Sequence, residues 1–239
     1  MMGIKLFAFS RRSAGTTPEE FHAYWRDVHA RQIADDPTLR RHVRRYELNH
    51  RLPIDYERDR HEGEVDDAGW DGVAVLWFDS LADFDALCAE PAYAAHAGDG
   101  RKFRDDAQLV VFTKDPDVIV SKPGRDDAEA KMLCILRRNA ALDLDTFHAH
   151  WLQNHGGMFQ RIDELNEPLL AYEQNHGLDL PDAPFDGVTE QWFDSIDSFV
   201  RSLDAPSHRT DVEPDVAYLL DPASIHFVMA GPPTVVIGD

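Results

Sequence analysis

The chain has 239 residues, 43% hydrophobic and 28% charged, a balance that excludes a disordered chain and allows one large domain or two small ones. Asp and Glu number 44 against 24 Lys and Arg, and the net charge of −20 repels phosphate backbones and anionic lipid, excluding nucleic acid and membrane surfaces as partners. No apolar run approaches the ~20 residues of a membrane helix, MMGIKLFAFSRR is too short in its apolar part for a signal peptide, and Cys88 and Cys134 cannot build a disulfide framework, so the reducing cytoplasm is the expected compartment.

In chain order, residues 4–11 (IKLFAFSR) read as a strand. A helix follows, with Thr17 as N-cap, Pro18 at its first position and Glu20 completing a capping box, and it runs to about Ile33. Strands are expected over 43–51 and 72–79. Ser80 then caps a second helix (SLADFDALCAE) that Pro91 ends, and 107–114 form a fourth strand. DPDVIVSKPGRDDAE reads partly as a linker. Beyond it the pattern returns: strand 130–138, helix 144–155, strands 169–176 and 187–194, a helix from Ser195 and strand 224–230. The order β-α-β-β-α-β is the ferredoxin-like split βαβ pattern.

The return is a duplication. FHAYWRDVH at 21–29 recurs as FHAHWLQNH at 147–155, and YELNH at 46–50 as YEQNH at 172–176, both 126 residues later. WDG at 70–72 pairs with FDG at 185–187, and WFDS at 77–80 with WFDS at 192–195, both 115 residues later, so the first copy has a longer polar loop at about 52–69. Two homologous units are expected, 1–118 and 129–239. The first strand of each copy is apolar on both faces, Phe7 and Phe9 against Leu6 and Ala8, and so should be buried on both. A unit's own helices cover one face only; the two sheets are expected to pack face to face or close into a barrel.

Arg11, Phe21, Tyr24-Trp25 and His29-Ala30, followed by the Asp-Gly strand, WFDS and Pro91, resemble the EthD family of the dimeric α+β barrel superfamily. The resemblance spans nearly the whole chain as a tandem pair. It departs in the second copy, where His150 replaces Tyr24, Gly156 replaces Ala30 and the tail after Pro206 differs. It implies the fold class α+β, with two ferredoxin-like units in one chain forming an internal pseudo-dimeric barrel that relates 4–114 to 130–230, and leaves room for a further homodimer. It also implies monooxygenase-type degradation or secondary-metabolite chemistry, with polyketide cyclases, dehydratases, isomerases and quinol-forming monooxygenases among the superfamily's members.

At 100° per residue, with Phe21 at 0°, Trp25 lies at 40°, His29 at 80° and His22 at 100°. His29, and with it His155, therefore sits at the rim of the buried stripe. There it either titrates near neutrality as general acid or base, or caps and orients neighbours. Alternation places Tyr46, Leu48 and His50 on one strand face, and Tyr172, Gln174 and His176 in the second copy. Tyr and His together could position a phenol or enol. His29, His155 and Tyr46 are the expected catalytic residues. Trp25, Trp77, His50, Arg11, Trp151, Tyr172, His176, Glu190 and Trp192 are the expected ligand-binding residues. Glu190 stands where Val75 stands in the first copy, either in a pocket or at a wetter edge, and Arg11 either binds an anion or pairs with a carboxylate.

No dinucleotide, P-loop or nucleophile-elbow motif occurs, His22 and His29 lack the spacing of a zinc helix, and no spacing places a haem ligand, so no cofactor and no metal are expected. The expected partner is a small hydrophobic, aromatic or polyketide-like molecule, because the wall is Trp, Tyr, Phe and Val. Either a cofactor-free lyase, isomerase or oxygenase acts on it, or a non-catalytic accessory protein binds it. The better pocket is expected in the first half, lined by Trp25, His29, Tyr46 and Trp77, with burial lowering the His29 pKa.

Overall fold

The computed structural model describes residues 3–54 and 69–238. Most of the longer loop of the first copy lies outside the described residues. The chain folds as two compact units, Met1–Phe112 with Pro233–Asp239, and Thr113–Pro232.

The first unit begins with β1 (Ile4–Arg12). Helix α1 (Pro18–Tyr24) opens on the expected capping box: Glu20 N–H donates to Thr17 Oγ1 at 3.2 Å, and Thr17 N–H donates to Glu20 Oε2 at 2.9 Å. A π-helical turn (Trp25–His29) carries it into α2 (Ala30–Asp35). Short α3 (Pro37–Arg40), β2 (Arg45–His50), β3 (Gly72–Phe78), α4 (Leu81–Ala89), α5 (Tyr93–Asp99) and β4 (Arg104–Lys114) follow. Ser80 stands at the N-cap of α4, but its hydroxyl donates to Asp83 Oδ2 at 2.6 Å instead of accepting from the backbone. Glu90, the residue before Pro91, is extended and ends the helix.

The second unit holds β5 (Asp117–Ser121), β6 (Ala130–Leu136), α6 (Leu144–His150), a second π turn (Trp151–His155) and α7 (Gly156–Arg161). Then come α8 (Asp163–Asn166), β7 (Leu169–His176), β8 (Gly187–Phe193), α9 (Ile196–Asp204), a third π turn (His208–Val212), α10 (Glu213–Leu219) and β9 (His226–Ala230). Strand β10 (Thr234–Ile237) belongs to the first unit.

Each unit is a five-stranded antiparallel sheet with helices, of order β10-β2-β3-β1-β4 and β5-β7-β8-β6-β9. The fold class is α+β, two ferredoxin-like units in one chain. The segment read partly as a linker contains β5, because VIVS pairs its backbone with β7, Asp117 opposite Gln174 and Ser121 opposite Ala171. β10 pairs with β2 in the same way, Thr234 opposite Leu48. These two edge strands set the unit boundaries at 112 and 232, whereas the sequence pattern drew them at 118 and 129. Every residue of β1 from Ile4 to Ser10 is buried, so both faces are covered, as its pattern requires.

Candidate functional site

The duplicated helix motif is built on the Asp-Gly turn before the third strand. The Asp71 carboxylate accepts from Arg12 N–H at 2.7 Å and pairs with the Arg12 guanidinium; Asp186 does the same for Arg138, with N–H at 2.8 Å. His22 Nε2 bonds the Asp71 carbonyl at 2.9 Å, and His148 Nε2 the Asp186 carbonyl at 3.2 Å. The glycine that follows makes room for the tryptophan. A Cβ on Gly72 would lie 2.7 Å from Trp25 Cζ3, and one on Gly187 would lie 2.5 Å from Trp151 Cζ3. Phe21 and Trp25, with ring centroids 5.2 Å apart, thus seat helix α1 on the sheet.

The π turn then changes the helical phase. An i→i+5 turn advances less than 100° per residue, so His29 falls closer to the Trp25 stripe than a regular helix would place it. His29 is buried at 7% exposure. Its Nδ1 bonds Asp99 Oδ2 at 3.0 Å, which leaves Nε2 as the basic nitrogen. Tyr24 donates its hydroxyl to the other oxygen, Asp99 Oδ1, at 2.9 Å, and Lys102 Nζ is 2.8 Å from it. Burial opposes the Asp99 charge, but hydrogen bonds from Lys102, His29 and Tyr24 outweigh it and pull the carboxyl down to about 2. Burial lowers the His29 pKa more than Asp99 raises it, so the imidazole is neutral at neutral pH.

The second unit repeats the dyad with different residues. His155 Nδ1 bonds Asp215 Oδ2 at 2.8 Å, and His150 Nε2 bonds Asp215 Oδ1 at 2.6 Å. His150 therefore does what Tyr24 does. The stretch DVEPD, in the tail that differs from the first copy, supplies the equivalent of Asp99.

Each dyad borders a cavity. The first, about 230 Å³, is lined by Trp25, His29, Ile33, Tyr46, Tyr93, His96 and Arg104 among others. The second, about 450 Å³, is lined by Trp151, His155, Phe159, Tyr172, Phe199 and His208 among others. Of these two cavities the second is the larger; Gln191, Ser202 and Thr189 there stand where Leu76, Leu87 and Ala74 stand in the first, and α10 contributes only aliphatic side chains and Glu213 to the wall.

Of the expected site residues, Trp25, His29 and Tyr46 meet in the first cavity, and Trp151, His155 and Tyr172 in the second. Gln174 Nε2 donates to the Tyr172 hydroxyl at 2.9 Å. Burial pushes both phenols far above their ordinary value, so Tyr46 is a neutral hydrogen-bonding group and not a phenolate base. Trp77, Trp192 and Glu190 lie on the opposite sheet face. The register explains this: Tyr46 stands opposite Leu76 and Tyr172 opposite Gln191, so the neighbouring Trp77 and Trp192 point the other way. Glu190 lines neither dyad cavity and is buried; it forms an ion pair with Lys131 Nζ at 2.7 Å. Arg11 pairs with Asp105 Oδ2 at 2.6 Å.

His50 and His176 share the cavity face but line neither cavity. They stand against His22 and His148, ring centroids 4.6 Å apart in both units, and burial holds each at about 3. Among the described residues no three His, Cys, Asp or Glu side chains converge as a metal site. Asp99, His96, Arg104, Tyr93, His150 and Asp215 escaped the sequence reading as site residues. The signal available was the tail spacing, Asp99 and Asp215 standing 116 residues apart, close to the offset of the strand motifs.

A protein-family model, the EthD domain, matches residues 13–107 and again 139–223. The sequence matches none of the curated proteins. Among solved structures, the chain is similar to an anthrone oxidase-like protein, with a TM-score of 0.66 and 11% identity over 98% of this chain and 93% of that one. A candidate monooxygenase from Fusobacterium nucleatum gives 0.57 and 8% identity over 98% and 93%. A mutant chlorite dismutase from Candidatus Nitrospira defluvii gives 0.54 and 13% identity over 96% and 92%. At such identities the likeness is one of fold. No described helix is long and apolar enough to cross a membrane.

Proposed function

Because the chain belongs to the EthD family, twice over in one polypeptide, we propose that it takes a proton from a small hydrophobic or aromatic molecule held between helix and sheet. The observation that carries this reading is the buried His29–Asp99 pair at a cavity wall, repeated as His155–Asp215. Asp99 holds Nδ1–H and fixes the tautomer, Nε2 accepts the proton from an activated C–H or O–H, and the carboxylate stabilises the imidazolium that results. Tyr46, which lines the same cavity and which burial keeps protonated, has a hydroxyl proton to donate to a developing oxyanion. Loss of a proton from carbon is the first step of isomerisation, cyclisation and dehydration. It also opens cofactor-free oxygenation, in which the carbanion gives its electrons to dioxygen.

The test uses phenylpyruvate, with one ring, and anthrone, with three, both carrying an acidic CH2. Exchange of that CH2 in deuterated water is followed by proton NMR. The protein is expected to accelerate exchange, and His29→Asn or His155→Asn to lower the rate about 10²–10⁴-fold at its own cavity. Exchange no faster than in the double variant would leave the second reading. That reading, a non-catalytic carrier, is favoured by the predominantly apolar wall of the second cavity.

A further inference from the structure

The first cavity is lined by a cation that no described carboxylate pairs with. Arg104, half-buried at the start of β4, lines the cavity with His29, His96 and Gln108. In the same unit Arg11, Arg12, Arg41, Arg44 and Arg45 each pair with a carboxylate. Among the described residues Arg104 has no such pair, in a chain whose acidic residues outnumber its basic ones 44 to 24. The backbone makes room for it: a Cβ on Gly100 would stand 2.8 Å from both Nε and Nη2 of Arg104. Its charge depresses His29 and His96 and favours ionisation of Tyr46 and Tyr93, so its field reaches the titratable groups of the cavity. The second cavity has no Arg or Lys in its lining and includes Glu213.

We infer that the first cavity takes an anion, a single aromatic ring bearing a carboxylate that Arg104 binds, while the second takes an uncharged molecule. The guanidinium presents a planar fork that matches a carboxylate. A volume of about 230 Å³ lies below the range of about 300–1,000 Å³ for drug-sized ligands, which limits the occupant to about one ring. This inference rests on the proposed reading of the same cavity as a ligand site, but not on catalysis there.

The experiment is calorimetric titration of the full chain with benzoate and phenylacetate, and with their neutral amides benzamide and phenylacetamide. At least one acid is expected to bind more than tenfold tighter than its amide, with the preference shrinking as salt is raised. Arg104→Gln should remove that preference and leave amide affinity unchanged; Arg104→Lys should keep part of it. Gly100→Ala, which displaces the guanidinium, should weaken the acid alone. Circular dichroism melts establish that each variant is folded. His29→Asn should still bind the acid while losing proton exchange, which separates this inference from the catalytic reading. Equal binding of acid and amide, acid binding unchanged in Arg104→Gln, or no binding of either acid by the wild type would overturn it.

Discussion

At the scale of single residues, the dyad makes a claim about protonation. Burial depresses His29, so its basic form persists below the ordinary histidine pKa of 6.5. The acid limb of the exchange rate against pH is therefore expected below 6.5, with activity full above it. A limb at or above 6.5 would mean that Asp99, and not desolvation, dominates. In a His155→Asn background, Asp99→Asn should cut the exchange rate at least about 10²-fold while leaving ligand affinity within a few-fold, because it alters the tautomer and not the cavity wall. Unchanged exchange in that variant would reduce Asp99 to a structural anchor for Tyr24 and Lys102. His29 was legible because it recurs in register with a tryptophan. Asp99 was not, since its partner stands 70 positions away and no local pattern joins them.

At the scale of elements, helix and strand meet through one close approach. The indole of Trp25 occupies the volume that any side chain at position 72 would need, and Trp151 does the same at 187. Gly72→Ala and Gly187→Ala should each cost about 1–3 kcal/mol as overpacking, read from urea unfolding midpoints. Gly156→Ala should cost less, because its nearest atoms, Gln174 Nε2 and Ile119 Cδ1 at 3.0 Å, are side-chain ends that can give way. Equal costs at all three positions would sink this account. The cap of α1 was legible from local chemistry in Thr17, Pro18 and Glu20, whereas the edge strands β5 and β10 were not, because only the partner strand marks them. Nor were the three π turns. Each borders a cavity, with Trp25 and His29, Trp151 and His155, or His208 and Val212 in the lining, and each depends on how the helix must sit on its sheet.

At the scale of the whole molecule, acid should be the main threat to stability. His50, His96 and His176 are each held at about 3 by burial, against 6.5 for an unfolded histidine. The unfolded chain therefore binds protons that the folded one refuses, so stability is full above about 6.5 and falls as pH drops towards 3. Asp99, lowered to about 2, adds a further loss below its unfolded value of 3.8. Urea midpoints should be lower at pH 5 than at pH 7.5. His50→Asn and His176→Asn should narrow that difference, which separates the histidine contribution from relief of repulsion among the acidic residues. An unchanged difference in the variants would place the acid sensitivity elsewhere. Truncation after Gly231 removes β10 from the edge of the first sheet. Hydrogen exchange should then show lost protection at Tyr46–Leu48 with β6 and β8 unaffected; retained protection would deny β10 a structural role.

The duplication, the α+β order of each unit and the burial of both faces of the first strand can be read along the chain, because periodicity, capping and repetition are properties of neighbours. The repeated motifs also pointed Trp25, His29 and Tyr46 to one pocket, but together with Trp77, which the register turns to the opposite face. The fold alone settles which sheet face each tryptophan occupies, since strand alternation is symmetric until the register against a neighbouring strand is fixed. It likewise decided the carboxylate behind each histidine, the ion pair that removes Glu190 from the site, and the guanidinium at Arg104. Those are meetings of side chains far apart in sequence, and distance in space is what sets a charge's partner.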